Sequence, residues 1–134
     1  MHLETALKAH FLAIQAGALF VCVGWMVVQA GLGAAIGGVF FWIVGQVAIL
    51  PIAIATMPIG LGFRCIGGKL FGKTRAATLA TGVVAGVLGW LTVAWELSST
   101  TEGIAKGLVF AAIAGLIGGL VWMTVERSSP KVAQ

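Results

Sequence analysis

Four long apolar runs are the feature that most constrains this chain. They cover residues 9–28, 34–57, 76–95 and 100–126, and short stretches of polar or small residues separate them. The hydrocarbon core of a bilayer is about 30 Å thick, and an α-helix that rises about 1.5 Å per residue crosses it in about 20 residues. Each run can therefore cross a membrane once. We predict an all-α, polytopic integral membrane protein whose single transmembrane domain, residues 1–134, is a four-helix bundle with short loops.

The scarcity of charged residues supports the same placement. Only 9% of the 134 residues are charged, whereas about a quarter are charged in a typical soluble domain. A surface with so few charges cannot be hydrated over most of its area. Lipid therefore has to replace water around the chain, which argues against a soluble domain.

The second run is longer than one crossing needs, because its apolar character continues to Phe63. A proline lacks a backbone N–H and clashes with the preceding helical turn, so it bends or ends a helix. We therefore predict a kink near Pro51 and a helix end near Pro58. A broken or re-entrant helix is the alternative. The Gly-rich, basic stretch 60–75 that follows is predicted to be a cytoplasmic loop or an interfacial segment.

The distribution of Lys and Arg predicts the orientation in the membrane. With four crossings, one side receives only Lys106. The other side receives Lys8, Arg64, Lys69, Lys73, Arg75, Arg127 and Lys131. Basic residues that flank membrane spans stay on the cytoplasmic side. We therefore expect both termini in the cytoplasm and a location in the bacterial inner (plasma) membrane.

Small residues recur every four positions in the fourth run, where they form a ridge along one side of the helix. The members of this ridge are Gly103, Gly107, Ala111, Gly115 and Gly119. Shorter versions are Gly82 with Gly86 and Gly33 with Gly37. Such ridges let two helices approach closely inside a membrane, so they predict glycine-zipper packing. Two interpretations stay open: the ridges close the bundle itself, or at least one faces a second copy or another membrane protein.

Residues 67–74 match the P-loop pattern Gly-x-x-x-x-Gly-Lys-Thr letter for letter. A functional P-loop follows a β-strand and needs an acidic magnesium ligand, usually Asp. Here apolar membrane sequence lies on both sides and the chain contains no Asp, so we expect no nucleotide binding. Because the basic residues flank membrane spans, we also expect no nucleic-acid partner. Instead, anionic lipid headgroups are predicted to bind Arg64, Lys69, Lys73 and Arg75, at about 1 kcal/mol per basic residue.

Charged residues of the predicted spans fall at the span ends, and the few polar groups farther inside are uncharged. The candidates are Gln15, Gln46, Thr78 and Thr81. They either hydrogen-bond one helix to another or line a polar path in an oligomer. The 2 histidines lie near the N-terminus without Cys, Asp or Glu at metal-ligand spacing. We therefore expect no catalytic residues, no metal and no cofactor.

Two classes of function are compatible with these features. The first is a non-enzymatic membrane protein that acts through protein or lipid contacts, such as an accessory or assembly subunit, a regulator or an immunity factor against a membrane-targeted toxin. The alternative is a homo-oligomeric small channel or transporter whose pore lies between copies. They differ in whether the partner of the chain is another membrane component or the chain itself.

Overall fold

The computed structural model describes residues 3–70, 72, 74–97 and 101–128, and the side chains of all of these except residues 92–97. The described chain consists of α1 (Leu3–Ala30), a short 3₁₀ helix (Leu32–Ala34), α2 (Ala35–Val44), α3 (Gln46–Ala55), α4 (Met57–Leu70), α5 (Arg75–Leu97) and α6 (Thr101–Ser128). The predicted all-α class is therefore confirmed.

Two of these helices are long and apolar enough to cross a membrane. Helices α1 and α6 have 28 residues each, which corresponds to about 42 Å and exceeds the hydrocarbon core of about 30 Å. Helices α2 and α3 pass the same test only as a pair that is bent by 58°. Within α5, the stretch whose side chains are described, Arg75–Leu91, forms a shorter apolar helix. The prediction of helices that could span a membrane is confirmed for α1 and α6.

The bend in the second apolar run lies at Gly45, before Pro51, near which the kink was predicted. Gly45 separates α2 from α3, and glycine weakens a helix by about 1 kcal/mol relative to alanine. Pro51 lies inside α3, where it removes one intrahelical hydrogen bond without ending the helix. The end predicted near Pro58 agrees with the break at Thr56. Pro58 itself is the second residue of α4, where a backbone N–H has no intrahelical acceptor.

The loop predicted for residues 60–75 is wrong over residues 60–70, which belong to α4. Its glycines suggested a flexible segment, but two of them lie in close contacts between helices. A Cβ atom at Gly60 would collide with the ring of His10 on α1, and one at Gly67 would lie 2.5 Å from the hydroxyl oxygen of Thr81 on α5. The two glycines therefore mark where α4 crosses its neighbours.

Helices α2, α1, α6 and α5 lie side by side in that order, each antiparallel to the next. Along α1 and α6, Gly17 lies against Ala114 and Ala13 lies against Gly118, so residue numbers rise along one helix as they fall along the other. Among the described residues, no Cα atom of α2 lies within 8 Å of α5 or α6, and none of α1 lies within 8 Å of α5. The helices form an open layer where a closed four-helix bundle was predicted.

Helix α6 lies at the centre of this layer because it has small residues on two faces. One face, formed by Gly107, Ala111, Gly115 and Gly119, lies against α5. A Cβ atom at Gly82 of α5 would collide with the carbonyl oxygen of Gly115. The other face carries Ala114 and Gly118 and contacts α1. Gly103 lies in the first turn of α6.

In the first hairpin, the close approach is made by Gly38, which is not a member of the predicted ridges. A Cβ atom there would lie 2.8 Å from the carbonyl oxygen of Cys22 on α1. Of the two glycines that were predicted, Gly37 lies near the Met26 side chain, whereas a Cβ atom at Gly33 would meet nothing within 4 Å. Gly33 belongs to the 3₁₀ helix, so it does not continue the helical spacing of the ridge.

The α5–α6 contact makes a first prediction. Gly115→Ala should lower the free energy of unfolding by about 1–3 kcal/mol, because the added methyl group forces two backbones apart. The matched control is Gly68→Ala on α4, where a Cβ atom meets nothing within 4 Å. Removing a glycine there should leave stability unchanged or raise it by about 0.5–1 kcal/mol. Reversible unfolding in mixed detergent micelles measures both, and equal effects would contradict this packing.

Candidate functional site

An open groove of about 1090 Å³ runs along the layer, between α1 and α5. Its floor is α6, which contributes Ala114, Gly115, Gly118 and Gly119. Because these residues have one side-chain carbon at most, they leave the space between the two walls unfilled. The groove exceeds the range of about 300–1,000 Å³ that is usual for small-molecule pockets.

The groove follows directly from the order of the helices. Helices α1 and α5 both pack on α6, on different faces, and do not meet over the described residues. Helix α1 lines the groove from His10 to Val21, and α5 lines it from Thr78 to Leu91. At a rise of about 1.5 Å per residue, these segments are about 17–20 Å long. The lining is apolar along most of this length, with Ile14 and Leu88 among its members.

One end of the groove carries the basic residues of the layer, and we call it the basic end. Here α1 begins, α5 begins and α6 ends, because neighbouring helices are antiparallel. Exposed cations at this end are Lys8, Lys69, Arg75 and Arg127. Helix α4 crosses the same end and contacts α1 through Gly60 and α5 through Gly67. It therefore closes the groove at the basic end.

An ion pair joins α4 to α6 at this crossing. The Arg64 guanidinium donates from Nε and Nη2 to the two carboxylate oxygens of Glu126, with distances of 3.3 and 3.1 Å. The indole nitrogen of Trp122 donates to the same carboxylate at 2.8 Å. Only 13% of the Arg64 side chain and 26% of the Glu126 side chain are exposed. Removing one partner of such a buried pair costs several kcal/mol, because it leaves the other charge unpaired.

The guanidinium of Arg64 retains one nitrogen that makes no hydrogen bond to the described residues. Its Nη1 atom is buried and has no hydrogen-bond partner among the described residues. A buried donor without an acceptor costs about 1–3 kcal/mol, and more when the group is charged. Arg64 also lines the groove. The basic end therefore contains a buried cationic nitrogen that lacks an acceptor.

His10 of α1 also lies at the basic end. Its Nε2 atom lies 3.2 Å from the carbonyl oxygen of Ala53, and since a carbonyl only accepts, Nε2 carries the hydrogen. The Thr56 hydroxyl lies 3.5 Å from the same nitrogen. The imidazole packs edge-on against Trp122, with ring centroids 6.3 Å apart. These contacts connect α1 to α3 and α6 beside Gly60 of α4.

The predicted headgroup residues fall into different environments. Arg64 is largely buried in an ion pair, whereas Lys69 and Arg75 are exposed. Lys73 and Lys131 lie outside the described residues. Headgroup binding by the exposed residues stays a prediction, and Arg64 is placed differently from the surface cation that was expected.

The residues of the P-loop match have other roles in the structure. Gly67 lies inside α4, in contact with α5. Thr74 is the N-cap of α5, because its hydroxyl oxygen accepts a hydrogen bond from the backbone N–H of Ala77 at 3.2 Å. Gly72 lies between the two helices with a φ of 76°. This arrangement is a helix end followed by a helix start.

Two of the predicted intramembrane polar residues face each other. Gln15 on α1 donates to Gln46 on α3 at 2.7 Å and accepts from it at 3.0 Å. Trp42 donates to the same Gln15 oxygen at 3.1 Å. By contrast, the Thr78 hydroxyl donates to the carbonyl oxygen of the N-cap Thr74, and the Thr81 hydroxyl donates to that of Ala77 in its own helix. Only the glutamines therefore connect two helices through these hydrogen bonds.

Sequence reasoning did not find the groove or the ion pair at its end. Arg64 and Glu126 are 62 positions apart, and nothing local in the sequence pairs them. One usable signal was the spacing of Gly60, Arg64 and Gly67, which places all three on one face of a helix. Another was the position of Glu126, an acidic residue at an end of the layer that is otherwise rich in cations.

The fold and this site define an α-helical membrane protein with a lateral groove that has a polar end. Among the described residues, no three His, Cys, Asp or Glu side chains are grouped closely enough to hold a metal ion. No protein-family model, no curated protein and no solved structure matches the chain.

The glutamine pair makes a second prediction. Gln15→Leu and Gln46→Leu should each lower the free energy of unfolding by about 1–2 kcal/mol, because hydrogen bonds between membrane helices contribute about 0.6 kcal/mol each. The double variant should cost less than the sum of the two, since neither amide is then left unpaired. Gln29→Leu, at an exposed position of the same helix, is the control and should change stability by less than about 0.5 kcal/mol. Strict additivity of the two single changes would contradict the pairing.

Proposed function

We propose that the chain crosses the membrane four times, through α1, the bent α2–α3 pair, α5 and α6. The antiparallel order of these elements supports this, because it puts both ends of the described chain on one side of the layer. The basic end would face the cytoplasm of a bacterial inner membrane, since basic residues flanking spans stay inside. At the opposite end, Lys106 is paired with Glu102 at 2.7 Å and adds no unbalanced charge there.

We further propose that the protein is non-enzymatic and acts through contacts with another membrane component, as an accessory subunit or regulator does. The observation that carries this proposal is the groove between α1 and α5. It opens sideways from the layer, where a membrane component can enter without passing through water. Its floor of small residues lets an occupant approach the α6 backbone closely, which is how contacts gain energy where lipid provides no hydrophobic drive.

The arrangement of residues at the basic end supports a role in binding better than a role in catalysis. The Glu126 carboxylate already accepts hydrogen bonds from Arg64 and Trp122. A general base must be able to reach and accept a proton from its substrate. A carboxylate that is held by an arginine and an indole is a poor candidate for that role, and it is a good candidate for a fixed structural charge.

The small-residue ridge of α6 gives less support to a partner than the groove does. From Gly107 to Gly119 the ridge lies against α5 of the same chain. A partner that docked on this ridge would have to displace α5. We therefore assign the contact with another component to the groove and the ridge to packing within the chain.

The channel alternative also has less support. A pore between copies needs polar side chains that face the neighbouring copy. The amides of Gln15 and Gln46 instead bond to each other inside the layer. The hydroxyls of Thr78 and Thr81 bond to backbone carbonyls of their own segment. These groups have little hydrogen-bonding capacity left for a solute path.

Filling the groove tests the proposed function. Gly89 lines the groove, and a Cβ atom there would meet nothing within 4 Å, so Gly89→Leu should fill the groove without disturbing the fold. We expect native mass spectrometry of the gently extracted chain to show one bound component on the wild type and at least a tenfold lower occupancy on this variant. The occupancy should fall because the leucine side chain takes the space of the occupant.

Gly62→Leu is the matched control, since Gly62 has the same open surroundings but does not line the groove. It should retain the bound component. Equal occupancy in all three proteins would overturn the groove as the contact site. A discrete homo-oligomer that is unaffected by Gly89→Leu would favour the channel alternative.

A further inference from the structure

We propose that the occupant of the groove is an anionic phospholipid, with one acyl chain between α1 and α5 and its phosphate at Arg64. This inference rests on the proposed function, in which the groove is the contact site, and it names the class of ligand. Three features of the site carry it: the length of the groove, the closed basic end and the unused donor of Arg64.

The length of the groove matches one leaflet of a bilayer. Its walls are about 17–20 Å long, and half of the hydrocarbon core is about 15 Å. The groove begins at the basic end, where Arg64, His10 and Thr78 line it, and it ends in apolar residues near Leu91. A lipid whose headgroup lies at the basic end would therefore place its chain along the apolar part.

A transmembrane helix of a partner fits this groove less well. Such a helix needs a contact surface along most of the core, which is about 30 Å thick. Helix α4 crosses the basic end from His10 on α1 to Thr81 on α5, so it blocks the continuation of the groove. An acyl chain ends inside the leaflet and does not need that continuation.

The charge at the basic end favours an anionic headgroup. Arg64 spends two of its nitrogens on Glu126, and the buried Nη1 has no acceptor among the described residues. A phosphate oxygen that reaches this end from the open side of the groove would supply the acceptor through a charge-assisted hydrogen bond, once the side chains that cover Nη1 move aside. The exposed Lys69, Arg75 and Arg127 add positive charge around the same end and attract anionic lipid toward it.

The test compares two lipids that differ only in their headgroups. The intact chain, delipidated in detergent, is titrated with phosphatidylglycerol or phosphatidylcholine carrying identical acyl chains, and native mass spectrometry counts the bound molecules. We expect one phosphatidylglycerol to bind about tenfold more tightly than phosphatidylcholine, because both lipids have the phosphate but choline adds a positive charge that the cations of the basic end repel. Gly89→Leu should weaken the binding of both lipids, since it occupies the space of the chain.

Substitutions of charged residues distinguish a defined headgroup site at the basic end from general attraction of anionic lipid to the surface. Arg64→Gln should abolish the preference for phosphatidylglycerol while the acyl chain still binds. Glu126→Gln should increase the preference, because it removes the competing negative charge and keeps an oxygen for the Trp122 indole. Lys106→Gln, which removes an exposed cation at the opposite end of the layer, is the control and should leave the preference within about twofold, because its distance from Arg64 exceeds the screening length of about 10 Å.

Glu126→Gln keeps the test decisive even if Arg64→Gln does not fold, since a loss of structure cannot raise affinity for one headgroup. An equal preference in wild type, Arg64→Gln and Glu126→Gln would overturn the headgroup site. If Gly89→Leu still displaced the lipid in that case, the groove would remain the contact site and only the ligand class would be wrong. A bound peptide or second copy in place of lipid would also overturn this inference and leave the proposed function standing.

Discussion

The close approach of α6 to both of its neighbours is the interaction on which the rest of the structure depends. In lipid there is no hydrophobic drive to bring helices together, so their association relies on dispersion and close backbone contact. Gly115 and Gly119 allow that contact with α5, and Ala114 and Gly118 allow it with α1. Because the two small faces of α6 point to different neighbours, α1 and α5 are held apart. The open layer and its groove are consequences of this placement.

Helix α4 fastens the basic end of the layer, and it does so with three residues on one of its faces. Gly60 and Gly67 bring its backbone close to α1 and α5, while Arg64 reaches Glu126 on α6 between them. A buried ion pair is costly to form and more costly to break. It therefore specifies where α4 lies more than it adds stability. The same guanidinium defines the polar end of the groove, so the position of α4 and the character of the site are determined together.

The sequence predicted the helical class and the membrane-spanning character of α1 and α6, because both follow from the number of consecutive apolar residues. It failed where the outcome depends on which way a residue faces. Gly60 and Gly67 were interpreted as signs of a loop, since a glycine in isolation weakens a helix whether or not another helix packs against it. Hydropathy also gives the depth of Gln15 and Gln46 without their direction around the helix axis. Their pairing, and that of Arg64 with Glu126, therefore required the structure.

The groove is compatible with stability only because of the solvent around it. In water, an open apolar groove of this size would expose apolar area, whose burial is favoured by about 25 cal/mol per Å². Closing the layer on itself would therefore lower its free energy. In a bilayer, lipid chains fill the groove at little cost in free energy, so its apolar walls do not favour closure of the layer. The basic end differs, because lipid chains cannot accept a hydrogen bond from the Nη1 atom of Arg64. The donor that lacks an acceptor thus lies at the end of the groove that we place at headgroup depth. A lipid phosphate is the membrane group that can accept its hydrogen bond there.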